Sequence, residues 1–235
     1  MALQHSPSIV TDGLVLCLDA ANPKSYPGSG TAWTDLLGRG GSGTLVGGPT
    51  YSNSGGGSIS FDGTDDHIVA NPTSLNSSFS STSVSHFIWV FPTSQGQIVV
   101  ELGTTTINQN WHDSNIEINA SGAFSFSTWH GSLSNKVVSA NQSFNQWYCV
   151  GFAYDGTTLT AYINGASIGT TAFSRQAPYN NGNQTHYALF ANDSTNMGTN
   201  AYGGGRAANF SVYNRALTAT QVSQNFNALR GRFGL

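Results

Sequence analysis

Short apolar runs separated by clusters of Gly, Asn, Asp and Ser dominate the pattern of hydrophobic and polar positions along the chain. Such a pattern indicates β-strands joined by turns, and many short strands at regular spacing are typical of a sandwich or barrel. We therefore predict an all-β fold, a two-sheet antiparallel β-sandwich with one short C-terminal helix. The predicted strands are LVLCLDA, SISFDG, HIVA, SHFIWVFP, QIVVELG, NIEINA, AFSFSTWHG, QWYCVGFAYDG, TLTAYING, HYALFAN and AANFSVYNRA.

Two dipeptides, Asp155-Gly156 and Asn164-Gly165, stand between strand-like runs in QWYCVGFAYDGTTLTAYINGASIG. Both tolerate the positive φ that tight hairpin turns require. The segment is therefore predicted to contain two successive hairpin turns.

Alternation predicts which side chains face the core. In NIEINA, Ile116 and Ile118 share one side, and in AFSFSTWHG, Phe124 and Phe126 do the same. If the two strands pair, their remaining side chains lie on one exposed sheet face. Those outward residues are Glu117, Asn119, Ser125 and Ser127.

One helix is predicted, near the C-terminus, in LTATQVSQNFNALRGRFGL. Thr218 and Gln221 fit a capping box. An apolar stripe follows at i, i+4 and i+7, formed by Val222, Phe226 and Leu229. Gly231 is predicted to cap the C-terminus of the helix.

Length and composition favour one domain over residues 1–235, with residues 1–12 as an N-terminal arm and residues 218–235 as the C-terminal helix and tail. Charged residues make up 8% of the chain and the formal net charge is -3. Such a chain has no basic field for nucleic acid and no cationic cluster for a membrane surface. Because no basic segment precedes an apolar one near the N-terminus, we expect no signal peptide.

The two cysteines, Cys17 and Cys149, both lie within predicted strands. Two buried thiols are one interpretation. A disulfide is the other, and it requires the two strands to be neighbours.

The ordered set of segments resembles the concanavalin A-like lectin/glucanase superfamily, and within it the laminin G-like (type 3) branch. The matching pieces are LVLCLDA with its Asn-Pro-Ser-Tyr-Gly loop, WTDL, SISFDGTDDHIV, FIWVFPTS, WYCVGFAYDGTTLTAYING and ANFSVYNRALTATQV. The resemblance implies a jelly roll in which LVLCLDA is buried between two curved sheets. The following segment is then a loop across the sandwich edge, with Trp33 and Leu36 as plugs, and Gly55–Gly57 allow a turn.

A second resemblance concerns the setting of this fold. Short, Lys-poor chains that begin with LVL-LDA and end in VYNRAL plus a helix look like virion proteins of tailed phages, including phages of marine cyanobacteria. This implies a virion surface or appendage protein that contacts host-surface glycans, located in the virion and extracellular after lysis. The alternative is a purely structural capsid decoration, cement or fibre subunit.

Sugars are held by aromatic faces together with planar polar groups, and the chain offers both along ELGTTTINQNWHDSNIE and farther on. The alternative is that Trp111 and Trp129 plug the core or rim and that Glu101, His112 and His186 form an internal polar network. The candidate carbohydrate-binding residues are Trp111, His112, Asp113, Glu117, Trp129, His130, His186, Asn192, Asp193 and Arg206.

A glycan-degrading enzyme is the third functional class, and carboxylate scarcity argues against it. Glycoside hydrolysis needs paired acids, whereas Glu101 and Glu117 do not form the Glu-x-Asp-x-x-Glu pattern of the glucanase branch. Asp113 and Glu117 are the nearest substitute, and they share a face only if their strand is regular. We expect no catalytic residues.

Calcium is the one cofactor that the resemblance suggests, because lectin-like sandwiches often hold Ca²⁺ with oxygen ligands. The candidate ligands are Asp19, Asp62, Asp65 and Asp66. Other virion proteins and a homo-oligomer are the further expected partners. The terminal residues ALRGRFGL either pack on their own domain or dock on a symmetric neighbour.

Overall fold

Two antiparallel β-sheets stack face to face and form a sandwich, as the alternation predicts. The computed structural model describes residues 8–38, 41–71, 83–102, 112–128, 135–174, 186–191 and 202–235. Within these ranges no helix has the length and apolar character needed to span a membrane. The assignment of the whole chain to one domain stays a prediction.

The first sheet, sheet A, has eight strands in the order β14-β13-β12-β7-β16-β5-β4. The eighth, β1, pairs with the C-terminal half of β16, while β5 pairs with its N-terminal half. The strands are β1 (Leu14–Asp19), β4 (Thr50–Ser52), β5 (Ser58–Asp62), β7 (Val84–Pro92), β12 (Tyr148–Tyr154), β13 (Thr158–Ile163), β14 (Ala166–Ala172) and β16 (Gly204–Tyr213).

The second sheet, sheet B, also has eight strands, in the order β11-β10-β9-β8-β15-β6-β3-β2. They are β2 (Ala32–Thr34), β3 (Ser42–Val46), β6 (His67–Asn71), β8 (Gly96–Leu102), β9 (His112–Ile118), β10 (Ala123–Phe126), β11 (Val137–Asn141) and β15 (His186–Leu189).

The main core lies between the sheets and is built from alternate side chains of both. Ile116 pairs with Phe126 and Ile118 with Phe124, and all four are fully buried, so the predicted inward rows are confirmed. Burial of such large side chains stabilises the sandwich by roughly 1.5–3 kcal/mol each.

The segment between β1 and β5 departs from the predicted loop. It contains three short strands, β2, β3 and β4. Residues Ser42–Val46, for example, alternate between buried and exposed positions and pair with β2 and β6. Trp33 lies in β2 and is fully buried, which confirms its predicted burial. A short 3-10 segment (Ser54–Gly56) follows β4. Gly55 interrupts its helical geometry with a left-handed φ of 63°, which glycine adopts without steric cost.

The two predicted hairpin turns are confirmed. Asp155 Oδ1 accepts hydrogen bonds from the backbone N–H groups of Thr157 and Thr158 and so orders the turn between β12 and β13. At the next turn Asn164 and Gly165 have φ of 51° and 78°, which places the β13–β14 connection in the type I′ class of hairpin turn.

A second apolar cluster covers the outer face of sheet A. Trp89 projects from β7 away from the main core and stacks on Phe233, with ring centroids 4.0 Å apart and an interplanar angle of 13°. Phe226 stacks on the same tryptophan at 5.6 Å. Strand β7 is therefore buried on both faces, and the C-terminal residues pack on their own domain.

Helix α1 (Ala219–Leu229) has the predicted capping box, with both Thr218 and Gln221 side chains hydrogen-bonded to the backbone. The predicted C-terminal cap at Gly231 is wrong. The chain continues from α1 into a 3-10 helix (Arg230–Phe233), and Gly234 has the left-handed φ of 73° that ends it. This extra turn brings Phe233 onto Trp89. We call residues 218–235 the C-terminal segment.

Cys17 and Cys149 are buried free thiols. They lie on the outer face of sheet A in β1 and β12, which are separated by β16 and β7. Three strand spacings of about 4.8 Å exceed the distance that a disulfide can bridge. The disulfide alternative is therefore excluded.

Candidate functional site

Several of the predicted sugar-binding residues lie outside the described residues. Of His112 and Asp113 the structure describes only the backbone, in strand β9. The residues outside the described ranges are Trp111, Trp129, His130, Asn192 and Asp193. Glu117, His186 and Arg206 are the three whose side chains are described.

Glu117 projects from the outer face of sheet B, opposite Ser125, as the pairing predicts. The expected exposure of that face is wrong at this point, because Ser125 and Ser127 are only 7% and 8% exposed. Lys136 Nζ lies 3.5 Å from Glu117 Oε1, so an ion pair occupies the more accessible edge.

His186 also belongs to the outer face of sheet B, but it is buried, and desolvation lowers its pKa. Beside it the centre of the face is apolar. Val100, Ala188 and Ala191 form a small separate buried cluster there. A polar sugar platform across the middle of sheet B is therefore absent from the described residues.

The two glutamates near β9 lie on different faces of sheet B. Glu101 pairs with the core residue Tyr187, whereas Glu117 pairs with Ser125 on the outer face. A register shift between Val99 and Val100 shows that the backbone of β9 is not a regular strand. The regularity on which a shared face of Asp113 and Glu117 depends is therefore not met.

Arg206 lies on sheet A, in β16, and not with Glu117 and His186 on sheet B. The structure therefore does not bring Arg206 together with Glu117 and His186. The cause is topological, because β16 pairs with β7 and β5 and belongs wholly to the other sheet.

Around Arg206 the β-ladder lines up side chains from four neighbouring strands on the outer face of sheet A. Thr50 pairs with Ser60, Ser60 with Arg206, and Arg206 with Phe91. The guanidinium carbon of Arg206 lies 4.5 Å from the Phe91 ring centroid. Trp147 contacts Phe91 edge-on, with centroids 5.6 Å apart at 62°. We call these five residues the Arg206 row.

The Arg206 row is partly exposed to solvent beyond the area that the C-terminal segment covers. Thr50 is exposed, and Ser60, Arg206, Phe91 and Trp147 are half-buried. Trp147 also contacts Phe233 at 4.8 Å, so the row starts at the edge of the second apolar cluster. Aromatic rings, a guanidinium and hydroxyls thus share one partly exposed strip.

Sequence reasoning missed Phe91, Trp147, Ser60 and Thr50. A signal was present in SHFIWVFP, where Phe87, Trp89 and Phe91 alternate with residues that face the core. A strand that is apolar on both faces must be covered on both. Of Phe87, Trp89 and Phe91, Phe91 is the one that lies at the margin of the second apolar cluster and is only partly covered.

A carboxylate cluster lies in the loop between β5 and β6. One oxygen from each of Asp62, Asp65 and Asp66 lies within 4.8 Å of the others. Burial raises the pKa of Asp66, and the neighbouring carboxylates of Asp62 and Asp65 add to that effect. Oxygen donors gathered in this way fit the ligand preference of Ca²⁺.

Asp19, the fourth predicted ligand, is not part of this cluster. Its Oδ2 accepts a hydrogen bond at 2.8 Å from Arg232 Nη1 of the C-terminal segment. Asp19 thus lies apart from the other three predicted ligands and forms an ion pair with Arg232. Whether Ca²⁺ binds Asp62, Asp65 and Asp66 stays a prediction.

Solved structures of low sequence identity share the fold. A sialidase of Trypanosoma rangeli in complex with sialic acid superposes with a TM-score of 0.66 at 12% identity, covering 97% of this chain and 36% of the sialidase chain. The receptor-binding domain of botulinum neurotoxin type G gives 0.63 at 14% identity, covering 92% and 51%. This chain thus spans about a third of the sialidase and half of the neurotoxin domain.

Domain 4 of AbnA, an extracellular arabinanase of Geobacillus stearothermophilus in complex with arabinotriose, matches over nearly its full length. The TM-score is 0.60 at 18% identity, and the match covers 90% of this chain and 97% of that domain. No curated protein shows significant sequence similarity to the chain. Residues 62–223, more than half of the chain, match the laminin G (type 3) family model of the concanavalin A-like lectin/glucanases superfamily.

Proposed function

The chain belongs to the concanavalin A-like lectin/glucanases superfamily, and on that premise we propose that it is a carbohydrate-binding domain without catalytic activity. The Arg206 row is the proposed contact surface. The single observation that carries the proposal is the alignment of Arg206 on Phe91, with Trp147 on one side and Ser60 on the other.

This arrangement supplies what a saccharide requires. The apolar C–H face of a sugar ring packs on an aromatic ring, and a few placed polar groups fix the ring's orientation. Here Phe91 and Trp147 supply the aromatic surface, and the Arg206 guanidinium and the Ser60 hydroxyl supply hydrogen-bonding groups on adjacent strands.

The similarity to domain 4 of the arabinanase supports the proposal, because that domain has a comparable size and was solved with arabinotriose. At 18% identity the likeness concerns the fold alone. The choice of binding surface therefore depends on the residues of this chain.

The acidic residues favour binding over hydrolysis. A glycosidase places two carboxyl groups about 5–10 Å apart on either side of the scissile bond. Glu101 is fully buried and lies on the core-facing side of sheet B. Glu117 faces outward, with Lys136 beside it. These two glutamates do not flank a common cleft.

We further propose that the domain works at the surface of a tailed-phage particle, where many copies add avidity to weak glycan contacts. Support for this setting comes from the sequence resemblance of LVLCLDA and ANFSVYNRALTATQV alone. If the protein is instead a purely structural subunit of the particle, we expect no glycan binding. Arg232 and Phe233 are engaged on their own domain, so a homo-oligomer would use another surface.

A glycan array tests the proposed function. The wild-type domain is expected to bind a defined subset of glycans, and Phe91→Leu is expected to lower that signal at least tenfold while thermal unfolding stays cooperative. Tyr51→Leu is the matched control, because Tyr51 is a partly exposed aromatic residue on β4 that lies outside the row. A blank array from folded wild-type protein would overturn the proposal in favour of a structural subunit.

A further inference from the structure

We infer that the Arg206 row selects saccharides that carry a carboxylate group. The inference rests on the proposed function and specifies the ligand class of the same surface. It depends on three features of Arg206, namely its lack of an acidic partner among the described residues, its contact with Phe91 and its neighbours along the row.

Arg206 has no carboxylate partner among the residues that the structure describes. Among the described side chains, ion pairs join Lys136 to Glu117, Arg215 to Asp12 and Arg232 to Asp19, and none includes Arg206. A guanidinium has five N–H donors and no acceptor. Its hydrogen-bonding capacity is therefore open to an external acceptor.

Asp62 is the acidic residue nearest to Arg206 in the β-ladder, because it pairs with Gly204 two positions away on the same face. Its carboxylate is directed into its own loop, where Oδ1 accepts the Thr64 N–H at 2.7 Å. No ion pair joins Asp62 to Arg206 among the described side chains.

The guanidinium of Arg206 lies over the ring of Phe91. The 4.5 Å contact lies within the range of a cation–π interaction and restricts the side-chain rotamers. A planar guanidinium held in this way presents parallel N–H groups that match a carboxylate in a bidentate pair. Less conformational entropy is then lost when the ligand binds.

The rest of the row is neutral and suits the uncharged part of a sugar. Ser60 and Thr50 continue the line across β5 and β4, and Phe91 with Trp147 extends it on the other side. Four strands at about 4.8 Å spacing make a strip of about 14 Å. A single positive charge between hydroxyls and aromatic rings matches one carboxylate per sugar unit.

The surrounding charges argue against polyphosphates and other dense polyanions. Arg206 is the single cation of the row, and the chain has a formal net charge of -3. Repulsion by the net negative charge grows with the number of ligand charges. A uronic or sialic acid therefore fits better than a phosphate-rich polymer.

Calorimetric titration with paired ligands tests the inference. The panel contains oligosaccharides of galacturonate, glucuronate and sialic acid, each beside its neutral carboxyl methyl ester. We expect wild-type protein to bind at least one acid tenfold or more tightly than its ester. Arg206→Gln should remove that preference, and Arg206→Lys should keep only part of it because the bidentate fork is lost. Arg230→Gln, which removes an exposed arginine outside the row, should leave the preference intact.

The outcomes separate this inference from the proposed function. Equal binding of acid and ester, with both weakened by Phe91→Leu, overturns the inference and leaves the proposed function standing. A preference for the acid that survives Arg206→Gln also overturns the inference. If no acidic or neutral saccharide binds the folded protein, both are overturned.

Discussion

Glu101 and Glu117, the two glutamates of the chain, lie on opposite faces of sheet B. Glu101 pairs with the core residue Tyr187, and Glu117 pairs with Ser125 on the outside. The glutamates are thus unable to act as an acid and base on one glycosidic bond.

We accordingly predict that the protein releases no reducing ends from any saccharide that it binds. Glu117→Gln should leave this result unchanged, because the residue forms an ion pair with Lys136 and lies on the opposite face of sheet B from Glu101. A colorimetric reducing-sugar assay over several hours provides the check. Cleavage by wild-type protein that disappears in Glu117→Gln would contradict the prediction.

Both thiols should be inert in the native protein. Burial, followed by the charge of Asp19, raises the pKa of Cys17 to about 11, and burial raises that of Cys149 to about 12. At pH 8 the fraction of each cysteine in the reactive thiolate form is therefore on the order of one in a thousand or lower. Ellman's reagent should label no thiol in native protein and two thiols in guanidinium. Rapid labelling of native protein would show that the packing over sheet A is more open.

The ion pair between Arg232 and Asp19 should anchor the C-terminal segment. Arg232→Met leaves the half-buried Asp19 carboxylate without its 2.8 Å partner and removes the bond from Arg232 Nε to the Gly55 carbonyl. We expect urea unfolding to show a loss of about 1–3 kcal/mol. Arg230→Met is the control, and its effect should stay within about 0.5 kcal/mol because Arg230 is exposed. Equal losses for the two variants would refute an anchoring role for the ion pair.

Calcium should stabilise the protein through the Asp62, Asp65 and Asp66 cluster. A ligand at a hundred times its Kd adds about 2.7 kcal/mol. For a chain of this size each kcal/mol raises the Tm by about 2–4 °C. Calorimetry with Ca²⁺ and with EDTA measures the shift, which Asp66→Asn should abolish. The control Asp155→Asn, in a hairpin turn outside the cluster, should retain it. An unchanged Tm in wild-type protein would rule out a stabilising ion.

Local patterns in the sequence sufficed for much of the fold. The alternation of Ile116 and Ile118 with Glu117, the Asn164-Gly165 turn and the Thr218 capping box each depend on neighbouring residues, and all three occur as predicted. The end of the helix did not follow from local pattern. Packing of Phe233 on Trp89 carries the chain one turn farther, past Gly231.

The candidate site was less accessible to sequence reasoning, because it depends on which strands are neighbours. Arg206, Phe91 and Ser60 are far apart along the chain and meet through the β5–β16–β7 pairing. Alternation shows on which side of its own strand a residue lies, but not which strand lies next to it. For the same reason Asp19 could not be separated from the other aspartates until its contact with Arg232 was known.

Amide chemical-shift mapping of the labelled protein with a saccharide selected on the array tests the central claim most directly. We predict that the largest shifts occur at Ser60, Phe91 and Arg206 and at the indole N–H of Trp147. Shifts confined to Glu117, Ser125 and Lys136 on sheet B, or none at saturating ligand, would contradict carbohydrate binding by the Arg206 row.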